Sequence, residues 1–533
     1  MRDPLRLYEM VSGLGPAGDA YLLESLDGPD EDQLAAAVGW DRVAELRIYA
    51  GRVELEAGEA LAGALSAVVG AVVGAGSSAD AMDAERVADA ERGSGVAVAA
   101  ESGAGAAGSA GASRASDGNG AQVRRWRLEE PQTVWRLLRA VQQCFEVDTD
   151  VSADSFAFGF LTTLAYEAAW SMEELPQSQT EPDQPRFTLA LFRETVWFDL
   201  EAGTVRHMSA QGPYMPPRDR TDAEMAELLD MVADPGDEES GAAEAAAPAV
   251  PAAPTPHSEC DSATSEEFSA WVKRCLGHIA AGDSYQIQIG HRIEVRTDLS
   301  PLDAYRRLRY RNPSPYMYLA PWAGRTVVGA SPELFVRIRG GQLSMRPIAG
   351  TAVRAADPAE DARRIAGLRA SVKEQAEHVM LVDLCRNDIG RVCVPRTLSV
   401  DTMMEVEPFA YVHHLVSTVS GKLRDDVDVW AAICATFPAG TMTGAPKLRA
   451  MEIINEIEST PRGVYAGALG LVDTRGFAML ALCIRTAVHH GDCYTIQASA
   501  GVVADSTPAG EWQETLAKMS AGYWALTGKE LLP

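Results

Sequence analysis

From Ser265 to Pro533 the chain alternates short apolar runs with glycine-containing turns, and this pattern limits the folds open to it. Helical periodicity predicts helices over 266–281, 357–385, 446–458 and 511–527. Strand-like runs are predicted over 284–295, 325–339, 342–348, 478–490 and 493–503, with turns at Gly340-Gly341 and Gly491-Asp492. Because the strands outnumber the helices between them, we expect an α+β fold with antiparallel hairpins rather than a doubly wound sheet.

Two low-complexity segments divide the sequence into regions. One runs from about residue 74 to 122 and the other from about 233 to 256, and both are rich in Ala, with Gly and Ser or Pro. Neither has the apolar periodicity from which a packed core is built. We therefore predict an N-terminal region over 1–232 with an insertion near 74–122, a linker or loop over 233–264, and a dense region over 265–533.

Charge and cysteine content exclude several classes of protein. Among 533 residues, 47 Lys and Arg face 75 Asp and Glu, which gives a formal net charge of −28. Such a chain is unsuited to nucleic-acid phosphates and to anionic membrane surfaces. The eight cysteines form no CxxC pair, and the N-terminus has no apolar signal-peptide segment, so we expect a reduced, cytoplasmic protein.

The segment 61–76, LAGALSAVVGAVVGAG, is the one stretch that resembles a membrane span. It is shorter than the ~20 residues that a spanning helix needs. Three alternatives remain open: an amphipathic or buried helix, a flexible insertion, and a span. Because the segment is too short, we expect no membrane association.

Two pairs of acids are spaced for chemistry. Glu374 and Glu377 lie three apart in one predicted helix, as do Glu511 and Glu514 in the last one. A spacing of three places both carboxylates of a pair on one helix face. Two such faces brought together would supply oxygen ligands for a hard divalent ion such as Mg²⁺. A solvated face with nearby lysines as ion-pair partners is the alternative.

Other features are ambiguous when taken alone. The turns FPAGTMTGAPK (437–447) and SAGVVADS (499–506) could receive an anion or a ligand on their backbone, or be ordinary turns. Arg485 ends an apolar run, where it would bind a carboxylate or form a structural ion pair. His413-His414 lies in an apolar setting, where a core histidine is as plausible as a ligand. Cys275 lies in a predicted helix and lacks the context of a catalytic nucleophile.

From about residue 268 to 525 the sequence is similar to chorismate-utilising enzymes, most of all to anthranilate synthase component I. Ten motifs carry the resemblance in order: GDSYQIQIGHR, RNPSPYMYLA, VVGASPELFVR, RPIAGT, EHVMLVDLCRNDIGRVC, VHHLVSTVSG, TFPAGTMTGAPKLRAMEIINEIE, RGVYAGALG, ASAGVVADS and EWQETLAK. The resemblance implies two stacked antiparallel sheets with helices outside and an active site in the cleft between them. It makes 265–533 the chorismate-binding catalytic region.

The resemblance also implies roles for individual residues. It assigns Mg²⁺ to Glu377 and Glu514, with Glu374 and Glu511 as neighbouring ligands. The substrate carboxylates and ring would be held by a second set, Tyr465, Arg485, Gly501, Lys518, Thr443 and Gly444. Glu333 corresponds to the general acid that protonates the departing C4 hydroxyl, His414 to the histidine beside that hydroxyl, and Thr351 to a residue lining the ring pocket.

Two positions restrict the nucleophile. Isochorismate and salicylate synthases have a lysine where this chain has Gln286, and glutamine cannot act as the general base that activates water. Aminodeoxychorismate synthases of the family have a nucleophilic lysine where this chain has Ala349. Direct attack of ammonia on C2 of chorismate with loss of the C4 hydroxyl remains.

We therefore expect a lyase that aminates chorismate and then eliminates pyruvate to give anthranilate, as in tryptophan and aromatic amino acid biosynthesis. The alternative is a synthase that stops at 2-amino-2-deoxyisochorismate and serves secondary metabolism. A lesser alternative is a chorismate-binding homologue without catalysis.

The resemblance implies a partner as well as a regulator. Ammonia would be delivered by a separate glutamine amidotransferase subunit, because the sequence has no recognisable glutaminase domain; a homodimer or a heterotetramer is left open. Ser25 of YLLES and the segment Asn312, Pro313, Ser314, Pro315, Tyr316 and Met317 resemble the tryptophan feedback elements of the family. Tyr318 stands where phenylalanine is expected, so feedback is left open.

Overall fold

The computed structural model describes residues 3–13, 19–74, 115–116, 122–176, 184–216, 224–225, 227–228 and 250–532. Most of the predicted insertion near 74–122 and of the low-complexity segment 233–256 lies outside these residues. Across the described residues, every strand pair is antiparallel. Helices cover the outer faces, so the predicted α+β class is confirmed.

The strands vary widely in length, and the longest lie in the N-terminal region. In chain order they are β1 (Ala20–Glu24), β2 (Ala35–Ile48), β3 (Arg52–Ala57), β4 (Ala115–Ser116), β5 (Gln122–Arg127), β6 (Gly159–Leu164), β7 (Phe187–Asp199), β8 (Thr204–Ser209), β9 (Ser258–Asp261), β10 (Gln286–Arg296), β11 (Tyr316–Trp322), β12 (Arg325–Ser331), β13 (Leu334–Arg339), β14 (Gln342–Met345), β15 (Ile348–Val353), β16 (Ser399–Pro408), β17 (Val412–Lys422), β18 (Gly444–Ala445), β19 (Ala468–Asp473), β20 (Ala478–Leu482), β21 (Thr486–His490) and β22 (Cys493–Val502).

The helices follow local capping signals. They are α1 (Pro4–Ser12), α2 (Glu59–Gly74), α3 (Thr133–Gln143), α4 (Ser265–Ala281), α5 (Pro301–Arg311), α6 (Pro358–Ala370), α7 (Val372–Gly390), α8 (Val429–Thr436), α9 (Lys447–Ile457) and α10 (Pro508–Thr527). At the start of α4, Thr264 and Glu267 form a reciprocal capping box, and Gly282 ends the helix at φ 83°. Thr507 caps α10, with Pro508 in the first turn.

Two arms of sheet extend from the paired strands β2 and β7. The first arm runs through β1, β11, β12, β21, β22 and β10, with β9 and β18 at its end. The second arm runs from β7 through β6, β19, β20, β13, β14 and β17, with β15 and β16 beside β17. The N-terminal strands therefore join both halves of the catalytic region.

The core between the arms contains side chains from both, including Tyr318 and Trp322 of β11, Leu161 of β6 and Leu469 of β19. Helices α1, α5 and α10 pack outside the first arm, while α2, α3, α7 and α8 pack outside the second. Strand β11 contributes to both cores because its side chains alternate: Tyr318 faces the central core, and its neighbour Met317 faces the outer helices. The stacked arrangement implied by the resemblance follows from this alternation.

Three predicted elements are each divided in two. The helix predicted over 357–385 is wrong in its continuity, because Ser371 is extended and its hydroxyl accepts from the backbone N–H of Glu374, which ends α6 and caps α7. The strands predicted over 325–339 and 478–490 are also wrong in continuity. Each changes from one arm to the other partway along, β12 to β13 in one case and β20 to β21 in the other.

The apolar segment near residue 61 forms helix α2, which buries Leu61, Leu65 and Val69. Among the described residues no helix is long and apolar enough to cross a membrane. The end of the predicted linker is ordered as strand β9, which pairs with β10 from Ile293 to Arg296.

Candidate active site

One face of β10 forms part of the floor of the cleft. Side chains alternate along the strand, so Gln286 and Gln288 point to the same side. Their antiparallel neighbour β22 places Gly501 opposite Gln288. A Cβ at Gly501 would lie 2.7 Å from Gln286 Nε2 and 2.9 Å from Gln288 Nε2, so only glycine leaves this space open.

Gln286 is fully buried and holds an acid in place. Its Nε2 donates to Glu377 Oε1 at 2.7 Å, while its Oε1 has no hydrogen-bond partner among the described residues. Gly444, which has a φ of 142°, lies so close to the Gln286 carbonyl that a Cβ would approach it to 2.1 Å. The glycine of the predicted turn therefore serves close packing against the strand that carries Gln286.

The two acid pairs lie on helices that bring Glu377 and Glu514 within electrostatic reach of each other. Glu374 and Glu377 lie on α7, and Glu511 and Glu514 lie on α10. Burial, and then the charges of Glu374 and Glu514, raise the pKa of Glu377. Burial also raises the pKa of Glu511, and Glu514 adds to that shift. Neighbouring carboxylates on the two helices thus oppose the ionisation of Glu377 and of Glu511.

Lys518 is the cation at the centre of this group. Its Nζ lies 2.6 Å from Glu514 Oε1 and donates to the carbonyl of Ser499 at 2.9 Å. The ammonium lowers the pKa of Glu377, of Glu333 and of His414. A single side chain at this position therefore influences both the acid pairs and the candidate proton donors.

Glu333 lies at the bend between β12 and β13 and is 6% exposed. Burial raises the pKa of Glu333 to about 8, although Thr441 Oγ1 donates to its Oε1 at 2.9 Å. The side chain is therefore a protonated carboxylic acid at neutral pH. A buried, neutral carboxyl can donate a proton to a leaving oxygen.

His414 of β17 is held by the strand beside it. Its Nδ1 lies 2.9 Å from the Gly350 carbonyl and 3.2 Å from Thr351 Oγ1. Because a carbonyl only accepts, Nδ1 carries the proton and Nε2 keeps its lone pair. Burial, with the nearby charges of Arg485 and Lys518, lowers the pKa of His414 to about 4. The imidazole is neutral at physiological pH.

The prediction that Arg485 ends an apolar strand is wrong. Arg485 lies in the bend between β20 and β21, with a φ of 52°. Burial lowers the pKa of its guanidinium, while Tyr465 and Glu514 act in the opposite direction. Tyr465 donates its hydroxyl to Ser499 Oγ at 2.7 Å. Together Arg485 and Tyr465 form a cationic and hydrogen-bonding wall close to Glu514.

The model for chorismate binding enzymes matches residues 99–522. This stretch covers more than half of the chain. The chain belongs to the family of chorismate binding enzymes.

Relatives in this family carry two different names. A 2-amino-4-deoxychorismate synthase of Streptomyces globisporus is 48% identical over 410 residues, which cover 76% of this chain and 80% of that protein. Anthranilate synthase component 1 of Streptomyces coelicolor is 44% identical over 380 residues, covering 70% and 74%. The crystal structure of anthranilate synthase component I from Streptococcus pneumoniae aligns with a TM-score of 0.66 and 26% identity, covering 92% of both chains.

These similarities support a coarse conclusion. The protein is a chorismate-utilising enzyme of the aminating kind, with a mixed fold built on large antiparallel sheets. The two relatives differ in the name of the product, so the similarity alone does not choose between amination and the further loss of pyruvate.

The acid pairs fit a divalent cation in their chemistry. Glu511 Oε2 is buried without a hydrogen-bond partner in the described part of the chain, and Glu377 has its pKa raised by neighbouring carboxylates. A cation would relieve both conditions. Within the described residues no group of three or more His, Cys, Asp or Glu side chains is already arranged to hold a metal. A substrate carboxylate and water would therefore have to complete the ligand set.

Two further candidates take structural positions. Thr443 is fully buried, and its hydroxyl donates to the Ala439 carbonyl at 3.2 Å, so it shapes the turn from within. Cys275 lies inside α4 with no exposed surface, and burial raises the pKa of its thiol to about 12. The interpretation that Cys275 is not a nucleophile agrees with this placement.

The candidate feedback residues come together away from the acid pairs. The backbone N–H of Leu26 donates to the Ser314 carbonyl at 3.2 Å, and Ser25 Oγ donates to the Asp32 carbonyl at 3.2 Å. The hydroxyl of Tyr316 donates to Asp32 Oδ1 at 2.8 Å. Met317 pairs with Glu24 in the sheet. The two motifs are thus neighbours, as the resemblance implies.

Three polar residues of the cleft are not among those predicted from the sequence. Gln288 Oε1 accepts from Ser499 Oγ at 3.0 Å, which in turn accepts from Tyr465, and Thr441 donates to Glu333. A strand period of two would have indicated the first two, since Gln288 follows Gln286 by two and Ser499 precedes Gly501 by two. The sequence places Thr441 in the glycine-rich turn, but no pattern in the sequence indicates its contact with Glu333.

Proposed function

We propose that the protein catalyses the Mg²⁺-dependent amination of chorismate at C2 and releases 2-amino-4-deoxychorismate. Isochorismate carries its hydroxyl at C2, so 2-amino-2-deoxyisochorismate has the same atoms and bonds as this product. The observation that carries the proposal is the similarity to the Streptomyces globisporus synthase over 76% of the chain. The chain also has Gln286 and Ala349 at the two positions where lysine would direct the reaction to another nucleophile.

The bond changes balance without a redox partner. Ammonia forms a bond to C2, both ring double bonds shift by one position, and the C4–O bond breaks. Glu333 donates the proton with which the hydroxyl leaves as water, a role suited to its pKa of about 8. The new ammonium group then loses one proton to solvent.

The remaining residues would bind and orient the substrate. Arg485 suits a substrate carboxylate, because its guanidinium is buried and offers a planar pair of donors. Lys518 and Tyr465 border the same space, and the absence of a side chain at Gly501 gives the ligand access to the backbone. The neutral His414 presents its free Nε2 as an acceptor.

Glu377, Glu514, Glu374 and Glu511 would hold Mg²⁺. The ion would supply positive charge for a substrate carboxylate when bound. In the protein without the ion, Gln286 orients Glu377 by a hydrogen bond, and Lys518 orients Glu514 by an ion pair.

The test is product identification. The purified chain is incubated with chorismate, MgCl₂ and an ammonium salt, with EDTA as the control, and the products are separated by liquid chromatography with mass spectrometry. A non-aromatic amine without pyruvate supports the proposal. Isochorismate, or an amine at C4, would contradict it.

A second candidate is anthranilate synthase, which the similarity to anthranilate synthase component 1 of Streptomyces coelicolor favours. The further step removes the C2 proton and breaks the C3–O bond to expel pyruvate. Fluorescent anthranilate formed in equal amount with pyruvate would select this candidate.

We also infer a separate glutamine amidotransferase subunit as the source of ammonia. Cys275 is buried, and the pKa of its thiol is raised to about 12, so it is not suited to hydrolyse glutamine. With glutamine as the sole nitrogen source the isolated chain should form no product. Turnover of glutamine that Cys275→Ala abolishes, with ammonia use preserved, would overturn this inference.

A further inference from the structure

A buried histidine joins the last helix to the back of the cleft floor. His291 lies on β10 and is 1% exposed, and strand alternation directs it away from Gln286 and Gln288. Its Nδ1 lies 2.7 Å from Asp261 Oδ1, and its Nε2 lies 2.8 Å from Thr515 Oγ1 on α10. The three side chains thus connect β9, β10 and α10.

Both ring nitrogens of His291 have a polar partner in the protein. The Asp261 carboxylate accepts, so Nδ1 donates to it. The Thr515 oxygen lies 2.8 Å from Nε2 and 2.8 Å from the carbonyl of Trp512, so the same hydroxyl contacts the strand and its own helix.

Two aromatic rings that also contact each other pack against the imidazole. The Trp512 ring stacks on His291 with centroids 4.4 Å apart and planes 16° from parallel. Phe268 of α4 presents its edge at 5.4 Å. The two polar contacts and the packing of these rings together hold the imidazole in place.

The helix residues held by this contact are next to the acids of the cleft. Thr515 follows Glu514 directly and lies one turn after Glu511, and Trp512 lies between the two acids. Lys518 is three residues further on, where it donates to the Ser499 carbonyl. A displacement at Thr515 would move all three charged groups relative to β10 and β22.

We propose that His291 is a positioning residue for the reaction. Through Thr515 and Trp512 it sets the position of the first half of α10, and thereby aligns Glu511, Glu514 and Lys518 with Gln286 and Ser499. The effect of this alignment on catalysis rests on the proposed function. The alignment itself is a property of the protein without ligand.

The experiment compares Thr515→Val and His291→Phe with the wild type. The first keeps the shape of the side chain and removes the hydroxyl, and the second keeps a ring and removes both nitrogens. We expect kcat to fall about 10- to 100-fold, the range found for residues that orient ligands of a metal, and the Mg²⁺ concentration for half activation to rise. Hydrogen–deuterium exchange of residues 508–518 in metal-free protein should become faster.

Three further variants separate positioning from general loss of structure. Thr515→Ser keeps the hydroxyl and should keep all three readouts, kcat, Mg²⁺ dependence and exchange, close to the wild type. Thr527→Val removes a comparable buried hydroxyl, which donates to the Tyr523 carbonyl at 2.8 Å on the same helix, and should leave kcat and exchange in 508–518 unchanged. The double variant of His291 and Thr515 should be no worse than the stronger single one, because both break one contact chain.

The two levels of the inference fail separately. If Thr515→Val and His291→Phe keep wild-type kcat and Mg²⁺ dependence, or if exchange in 508–518 does not change, His291 is not a positioning residue. If the wild type forms a different product or none, the proposed function fails. The exchange comparison then decides alone whether His291 fixes this part of α10.

Discussion

Two regions of the protein bury carboxylates, and they treat them differently. Around Arg346, which is 1% exposed, Asp32 Oδ1 lies 3.0 Å from Nε and Glu407 Oε2 accepts from Nη2 at 2.7 Å, with Glu31 as a third acid. Tyr316 adds a hydrogen bond to Asp32. We call these residues the Arg346 network. Each of these acids lies beside the Arg346 guanidinium, a permanent protein partner of opposite charge, whose Nε makes no hydrogen bond among the described residues.

The cleft contains the opposite arrangement. Glu511 Oε2 and Gln286 Oε1 are buried without hydrogen-bond partners among the described residues, and Glu377 has carboxylates as neighbours. Leaving such groups unsatisfied costs about 1–3 kcal/mol each unless a ligand binds them. The two regions therefore differ in the charge that faces their acids. The Arg346 network contains a protein cation between its acids, whereas Glu377 faces other carboxylates, an arrangement suited to a bound cation and a polar substrate.

The largest effect is expected from Glu333→Gln. Loss of the proton donor should lower kcat about 10²- to 10⁴-fold with ammonia as the nitrogen source. The amide has the shape of the neutral acid, so Tm should stay close to that of the wild type. The matched control is Glu24→Gln, also a buried glutamate, which accepts from Tyr305 and Arg309. An equal loss of kcat in the control would show that the loss follows from removing any buried carboxylate, and not from removing the proton donor.

Glu514→Gln should follow in size. The substitution removes one ligand charge at constant volume. Loss of a residue that orients a metal ligand typically lowers activity about 10- to 100-fold, and loss of the ligand itself should lower kcat at least as much. Glu514 is 46% exposed, so stability should change little. Excess Mg²⁺ should recover part of the activity, measured in a magnesium titration.

Glu530→Gln serves as the control for that variant. Glu530 is 52% exposed and pairs with Arg311 at 2.8 Å near the end of the chain. Its activity and magnesium dependence should match the wild type. Near wild-type turnover of Glu514→Gln at low magnesium would refute the assignment of Glu514 as a ligand.

Arg346→Met tests the other region. Removing the cation leaves Asp32 and Glu407 without the guanidinium that faces both of them, which should lower the free energy of unfolding by about 3–5 kcal/mol. The kcat of the folded fraction should remain within a few-fold of the wild type, because the network does not contact the cleft acids. Denaturant unfolding and initial rates measure the two quantities. A large loss of kcat with unchanged stability would reverse the assignment of the regions.

The smallest effect is a pH dependence. Glu333 must be protonated to act, and its pKa of about 8 means that the acid form predominates below this pH and is lost as the pH rises through it. Rates divided by the concentration of free ammonia should therefore fall about tenfold per pH unit above that value. His414, with a pKa near 4, is neutral throughout this range and adds no second limb. Persistence of the decline in Glu333→Gln would assign it to another group.

Much of the site could be predicted from the sequence because its signals are local. The spacing of three that pairs Glu511 with Glu514 is a property of any helix, and α10 presents both acids as expected. The strand period of two likewise places Gln288 on the side of Gln286 and Ser499 on the side of Gly501. Thr441 could not be found in this way, because only the fold brings its turn against Glu333.

The sequence determined the α+β class, the capped helices and the acid pairs, since periodicity and capping act over a few residues. Tertiary structure decided the two bends that the strand predictions over 325–339 and 478–490 did not include. Glu333 and Arg485 lie at these bends, where the chain passes from one arm of sheet to the other. An apolar run gives no sign of a change of partner, because both strands bury the same kinds of side chain. Only the pairing of β12 with β21 and of β13 with β20 turns the chain there and brings the acid and the guanidinium to one cleft.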